Sequence, residues 1–332
     1  MRKSVTLVDI AKRCNTSNVT VSKALADKSG VSPELREKIK QVAEEMGYVS
    51  VKTANTRKKK NIGVLIPDKF ISASGSFYWV LYNNLVQMLM KKNHYCIMEI
   101  LSEEDERALV MPNMVMDKKI SGLISLGQLS LKYAKKLRDQ IPEMIALDYY
   151  ISDFEVDTVI TNGYSGAYKI TNYLISMGHT KIGYVGSKFA TSSILDRYMG
   201  YSKSMLEKGF EIRSEWTIDD RDSEGDFIEM KFPDILPTAF VCNCDEAAYI
   251  VIKQLKAMGY SVPNDISIVG YDNYMISEMS DPKITTIAID ATVMAAQAVK
   301  AVIERIENPL LPFKVRNLEG DLNIKNSVRK LK

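Results

Sequence analysis

Histidine, cysteine and long apolar runs are all scarce in this chain, and each scarcity removes a class of function. Its 332 residues include only two histidines, His94 and His179, too few for most metal clusters and without a nucleophile partner in sequence. No metal ligand set and no catalytic residue is expected. The four cysteines, Cys14, Cys96, Cys242 and Cys244, form no C-x-x-C pair, which argues against structural zinc and against a disulfide framework. Reduced, mostly buried thiols are expected instead. No apolar stretch approaches the roughly 18 residues a membrane helix needs, and the opening MRKSVTLVDIAKRC lacks the apolar core and cleavage site of a signal peptide. A cytoplasmic protein follows. G-Y-V-G-S-K at 183–188 has the wrong spacing for a phosphate-binding loop, and Gly163-Tyr164-Ser165-Gly166 is not G-x-S-x-G, so neither a cofactor nor an enzyme signature emerges.

What is present is an ordinary globular balance, 46% hydrophobic and 26% charged, in a chain two to three domains long. The charge is unevenly placed. Residues 1–60 carry fourteen Lys+Arg against six Asp+Glu, a net +8, which leaves −5 for residues 61–332. A basic module joined to a mildly acidic body points to a polyanion partner for the first module, although a solvated lysine-rich tail would give the same sum.

Pattern decides between the two. Thr6 stands before Leu7, Ile10, Ala11 and Cys14 at helical spacing, the arrangement of an N-capped helix with one apolar face. Ser17 is a second N-cap, opening a helix with Val21, Ala24 and Leu25 inward and Asn18, Val19, Ser22 and Lys23 outward. Ser32 caps a third, with Pro33 at its first position and an apolar stripe of Leu35, Ile39, Val42, Ala43 and Met46 before Gly47. Two helices joined by a tight turn, the second presenting small hydrogen-bonding side chains among basic residues, suit a major groove. Read in order, T-L-V-D-I-A-K-R-C-N-T-S-N-V-T-V-S-K-A-L, then V-S-P-E-L-R-E-K-I and M-G-Y, closely resembles the opening of the lactose-repressor/galactose-repressor (LacI/GalR) family of bacterial transcription regulators, and the resemblance extends over nearly the whole chain.

The resemblance implies that Asn18 and Val19 start a recognition helix and read base edges, with Lys23 also facing the groove. Thr6, Ser17, Thr20, Ser22 and Ser32 would serve mainly phosphates. The family most often has Arg at the place of Lys23, and lysine lacks the fixed fork that grips guanine O6 and N7. Residues 49–61, VSVKTANTRKKKN, have no core-facing period and read as a solvated linker. In the family this segment becomes a hinge helix on DNA, where paired leucines pry open the minor groove. Ala54 matches, but Arg57 stands where the leucine falls and Ser50-Val51 replaces the usual Asn-Pro. An arginine can enter a narrow groove electrostatically but cannot unstack a base step.

From Ile62 onward, short apolar runs alternate with amphipathic stretches. The expected strands are 62–66, 95–100, 122–125, 144–147, 158–161, 181–185, 239–241 and 266–269, with helices between them such as 166–177 and 246–258; this is α/β order with parallel sheets. The expected fold class is therefore an all-α helix-turn-helix headpiece plus an α/β effector domain. The resemblance makes that domain two-lobed, like periplasmic sugar-binding proteins, with three crossings near Asn162, Ala291 and Gly320. The expected domains are 1–48 for DNA binding, 49–61 for the hinge and 62–332 for effector binding and dimerisation. Lobe 1 would span about 62–161 plus 292–320, and lobe 2 about 162–291 plus 321–332. The helix holding Phe77, Leu81, Leu85 and Leu89 would bury its stripe partly in the core and partly against a partner subunit.

Ligands in such sheets bind beyond the carboxyl ends of strands, where Asp148, Asp245 and Asp272 fall, although an Asp after a strand also serves as a simple helix cap. Arg197 in S-I-L-D-R-Y-M-G-Y and Asp272 in G-Y-D-N match the family's effector-contacting residues, and Phe227 occupies the place of an aromatic ring against a pyranose face. Arg with paired carboxylates suits vicinal hydroxyls. Phe227 could equally be a core aromatic, and Cys244 stands where many members have Asn. The reading is a homodimeric DNA-binding regulator, a repressor of carbohydrate-utilisation genes, held on a near-palindromic double-stranded operator and controlled by a small sugar. The alternatives are an exported sugar receptor, a pentose-processing enzyme, and the same kind of regulator answering to a purine or a phosphoprotein.

Overall fold

The computed structural model describes residues 5–25, 28–46, 59–71, 77–222 and 225–331. The chain divides at Lys59–Lys60 into two compact units. Ala54 and Arg57 lie outside the described residues, so the hinge expectation meets no structural observation.

The described residues of the first unit form three helices around a small core: α1 (Leu7–Arg13), α2 (Asn18–Leu25) and α3 (Pro33–Glu45). Local chemistry fixes their starts. The Thr6 side chain accepts from the Asp9 N–H while the Asp9 carboxylate takes the Thr6 N–H, a reciprocal capping box that satisfies two otherwise orphaned donors. Ser17 accepts from the Thr20 N–H at 3.1 Å, and Ser32 accepts from the Leu35 N–H with Pro33 behind it. Ile10, Val21, Ala24 and Ile39 are fully buried together, with Ala11, Cys14 and Ala43 nearly so.

The second unit holds two six-stranded sheets. In lobe 1, β1 (Asn61–Pro67), β2 (Tyr95–Leu101), β3 (Gly122–Leu126), β4 (Met144–Leu147), β5 (Asp157–Thr161) and β11 (Val315–Leu318) pair in the order β11-β5-β4-β3-β1-β2, all parallel. In lobe 2, β6 (Ile182–Val185), β7 (Thr217–Ile218), β8 (Ala239–Cys242), β9 (Ser267–Asp272), β10 (Thr285–Ala288) and β12 (Asp321–Asn323) pair in the order β12-β10-β9-β8-β6-β7, with only β12 antiparallel. The first five strands of each lobe follow one doubly wound order, 2-1-3-4-5, so each lobe has a topological switch point. The chain passes between lobes at Asn162, at Ile289–Asp290 and at Glu319–Gly320.

Three differences from the sequence reading have physical reasons. The sheet begins before Ile62: Lys60 O accepts from the Tyr95 N–H and the Lys60 N–H donates to His94 Nδ1, so residues 60–61 belong to lobe 1 and not to the linker. Four strands escaped the pattern, β7, β10, β11 and β12. Three of them lie at or beside a sheet edge with mixed burial, and Thr-rich β10 has little apolar contrast. Helix α4 (Phe77–Lys91) uses its whole stripe inside its own lobe: Phe77, Leu81, Leu85 and Leu89 are buried against α12 (Ala291–Glu307) residues such as Met294, Ala298 and Val302. That correction removes these four as partner-contacting residues and leaves Val80 and Met90 as the exposed apolar groups of the helix.

Candidate functional site

Between the lobes, loops at the carboxyl ends of the strands enclose a cavity of about 850 Å³ including its mouth. Lobe 1 contributes Lys69, Phe70, Phe77, Tyr78 and Asp148. Lobe 2 contributes Thr191, Arg197, Arg221, Phe227 and Asp272 among others.

Each charged group arrives by a specific local device. Asp148 follows β4 in the left-handed region (φ 67°), and Asp272 ends β9 at φ 104°. Such backbone is costly for a non-glycine residue and turns each carboxylate out of its strand direction. Arg197 sits on α9 (Ser192–Glu207), drawn close to α8 (Gly163–Ser176) because a Cβ at Gly200 would lie 2.1 Å from the Tyr164 carbonyl oxygen. Its Nη1 donates to the Asn243 carbonyl at 2.6 Å and its Nη2 to Asp272 Oδ1 at 3.3 Å, while the guanidinium lies 3.9 Å over the Tyr271 ring. The Nε–H is buried with no acceptor among the described residues. Tyr78 Oη donates to Asp148 Oδ2 at 2.9 Å, and Tyr78 in turn stacks on Phe70 at 4.7 Å. Phe227 is half-buried with the Arg221 guanidinium 4.7 Å from its ring centre, so it lines the cavity while also packing on the lobe 2 core.

The electrostatics are those of a dry site with unspent valence. Burial pushes the Asp272 carboxyl up to about 7 against the pull of Arg197. Burial also raises Asp148, again opposed by Arg197 and by the Tyr78 hydrogen bond. Desolvation works against the Arg197 charge, yet Asp272, Tyr271 and Asp148 outweigh it and hold the guanidinium protonated more firmly than usual. A neutral ligand carrying several hydroxyls could donate to both carboxylates and accept from the guanidinium without bringing in a charge of its own.

Asp245 departs from this set. It opens α10 (Asp245–Ala257) fully buried, with Oδ2 accepting from the Tyr274 N–H at 3.2 Å and Oδ1 lying where a Cβ at Gly270 would be only 2.3 Å away. Its neighbours Asn243, Cys244 and Glu246 line the cavity instead. The strand-end rule found the right turn but not the right residue, because the Asp245 carboxylate is taken into the interior by the Tyr274 N–H and lies against Gly270. Tyr78 and Arg221 gave no signal in sequence; Asn243, directly after β8, could have been found by the same strand-end rule.

The histidines are structural. His179 is fully buried, with ring nitrogens 2.9 Å from Thr238 Oγ1 and 3.2 Å from the Arg329 carbonyl oxygen, and His94 is buried against Lys60. All four cysteines are free thiols. Among the described residues no helix is long and apolar enough to cross a membrane.

In the first unit, Asn18, Val19, Ser22 and Lys23 form the exposed face of α2, with Val19 64% exposed. The Thr6 N–H and hydroxyl both go to Asp9 Oδ2, so its donors are already spent on the cap. The Ser17 and Thr20 hydroxyls bond each other at 2.8 Å.

Two family models match the chain, that of bacterial regulatory proteins of the lacI family over residues 6–50 and a periplasmic binding protein-like domain over 171–328. Its first unit carries the lacI-family regulatory domain, and the whole chain resembles LacI-family repressors. It is 25% identical to the ribose operon repressor of Haemophilus influenzae and 28% identical to the HTH-type transcriptional repressor PurR of Glaesserella parasuis, in each case over 98% of this chain and 99% of the relative. A solved complex of the transcriptional regulator CelR with cellobiose shares the fold at TM-score 0.69 and 19% identity, over 97% of this chain and 99% of that one.

Proposed function

We propose that this chain is a cytoplasmic, homodimeric LacI-family repressor of carbohydrate-utilisation genes, bound to a near-palindromic operator and controlled by a sugar in the cavity between its lobes. The observation that carries the effector assignment is the convergence of Arg197, Asp272 and Asp148 around one cavity with donors and acceptors left over. Vicinal hydroxyls would donate to the two carboxylates and accept from Arg197, while the apolar face of the ring lies against Phe227. Relatives named for ribose operons and a neighbour holding cellobiose support a saccharide; the PurR relatives make a purine the outcome to test against it.

Asn18, Val19 and Lys23 read base edges from the exposed face of α2. Ser17, Thr20, Ser22 and Ser32 meet phosphates, one hydroxyl proton of the Ser17–Thr20 pair remaining for an anion. Thr6 would reach a phosphate only by exchanging its bond to Asp9, so its first role is to cap α1. Ala54 and Arg57 contact the operator between half-sites. Residues 1–48 bind DNA, 49–59 link, and the lobes divide at Asn162, Ile289–Asp290 and Glu319–Gly320. A ligand that favours one lobe arrangement strains or relaxes these three crossings and so changes operator affinity, a coupling typically worth about 1–3 kcal/mol and reciprocal between ligand and DNA.

Footprinting on the chain's neighbouring promoters, with sugars and purines screened by thermal shift, tests this reading; a ligand present at about 100 times its Kd adds about 2.7 kcal/mol to stability. No salt-sensitive protection of any promoter would end it. Lys23→Ala is expected to relax discrimination at one base pair by roughly 1–3 kcal/mol, whereas a uniform loss on all sequences would assign Lys23 to phosphate alone.

A further inference from the structure

The cavity does not end at the Arg197 centre. A second compartment opens from it, with an empty volume of about 1230 Å³ including its mouth. The two share Lys69, Phe70, Thr191 and Arg221 as walls, so they form one continuous trough and not two separate holes. On the lobe 1 side a third recess, reaching Gln128 and Ser130, again shares Lys69, Phe70 and Thr191.

The outer compartment is floored by the loop between β6 and α9. Phe189 at the tip of that loop is 86% exposed, a large apolar ring with no core function. Lys188 beside it is held over the Tyr198 ring at 4.9 Å, its ammonium 6.0 Å from the Phe189 ring centre. Asp219 and Asp222 line the same space as Lys69, Lys188 and Arg221. Charges of both signs around an exposed aromatic ring suit a neutral polyhydroxylated ring, which offers a C–H face to Phe189 and hydroxyls to either sign of charge.

We infer that the effector is an oligosaccharide of at least two units, with one ring in the Arg197–Asp272–Asp148 centre and the next stacked on Phe189. This rests on the saccharide reading above and adds to it the length of the ligand and the residue that measures it. An aromatic platform of this kind separates a monosaccharide from its own dimer by roughly tenfold in Kd, which sets the size of the effect to look for.

The test is calorimetric titration of the full-length protein with glucose, xylose and galactose, with maltose, cellobiose, xylobiose and lactose, with the corresponding trisaccharides where they exist, and with hypoxanthine and guanine. At least one di- or trisaccharide is expected to bind roughly tenfold or more tightly than its monosaccharide. Phe189→Ala is expected to bring that ratio close to one, and Phe189→Trp to keep it. Because Phe189 is exposed, both variants should keep the parent melting temperature, which is measured alongside. Equal Kd values for a monosaccharide and its oligomers, or an oligomer ratio unmoved by Phe189→Ala, would overturn the inference while leaving a saccharide effector standing. Binding of a purine with no saccharide bound, or no binding from the whole panel, would overturn both.

Discussion

Two buried arginine–aspartate pairs, one in each lobe, are built from the same residues and have opposite properties. Arg305 on α12 reaches Asp157 at the start of β5 through Nε at 2.9 Å and Nη2 at 2.6 Å, and its Nη1 donates to the Pro309 and Leu311 carbonyls. Asp157 also accepts from the Lys314 N–H and from Arg316 Nη1, and the Phe313 ring covers the guanidinium at 4.0 Å. Every nitrogen of that guanidinium has an acceptor. Arg197 in lobe 2 meets Asp272 through one 3.3 Å bond and keeps a buried Nε–H without an acceptor among the described residues, beside a cavity. A buried charge pair is costly unless its hydrogen-bonding capacity is filled. The saturated pair fastens the α12–β11 connection onto its sheet, whereas the unsaturated one holds capacity that a ligand can fill.

The contrast is open to attack at four points. The largest effect belongs to Arg305→Ala, which leaves buried Asp157 Oδ2 and the Pro309 and Leu311 carbonyls without the guanidinium, although Oδ1 keeps Lys314 and Arg316, and is expected to cost about 3–5 kcal/mol of stability by chemical denaturation; a loss under 1 kcal/mol would deny it a fastening role. Arg197→Ala is expected to weaken the best saccharide from the titration panel by about 2–5 kcal/mol, because its hydroxyls then face unanswered carboxylates. Parent-like affinity in that variant would mean that the ligand sits elsewhere.

The third is a pH effect whose sign follows from burial. Asp272 keeps its proton up to about 7 in the folded protein, whereas an unfolded aspartate loses its proton near pH 4. Between those values the folded state binds more protons than the unfolded one, so ligand-free stability falls as pH rises from about 4 to about 7 and levels off above. Asp148 and Asp245, also raised by burial, push in the same direction. Asp272→Asn should flatten this slope in denaturation curves taken across that window, and an unchanged slope would remove Asp272 as its source. The smallest effect is expected at the rim of the saturated cluster: Glu304→Gln removes the charge from the 3.0 Å contact to Arg316 while keeping an acceptor oxygen, Glu304 is partly exposed and Arg316 keeps Asp157, so under about 1 kcal/mol should be lost. A loss above 2 kcal/mol would show that the cluster depends on its rim.

Much of this contrast could be read in the sequence, but not all of it. Asp148, Arg197, Asp272 and Phe227 could be named beforehand because each stands at a strand end or within a family motif, and all four line one cavity. Asp157 and Arg305 could not, since 148 residues separate them and only the sheet brings them together. Asp245 was misread for a related reason: its carboxylate accepts from the Tyr274 N–H, 29 residues further on, a partner that no local pattern shows. The strands that went unseen lie where burial is mixed, so they lacked the apolar contrast on which such a reading depends.

The order of residues by itself determined the capped helices of the first unit, the alternation of strand and helix in the second, the family resemblance and the lopsided charge, because each depends on groups within a turn or two of one another or on a motif. Which hydrogen-bonding groups were left without a partner, and therefore where a ligand could be held, was decided only in three dimensions. A donor's satisfaction depends on acceptors that arrive from distant segments, and neither the Arg197 Nε–H nor the trough leading to Phe189 exists until two lobes, threaded by three crossings, face one another.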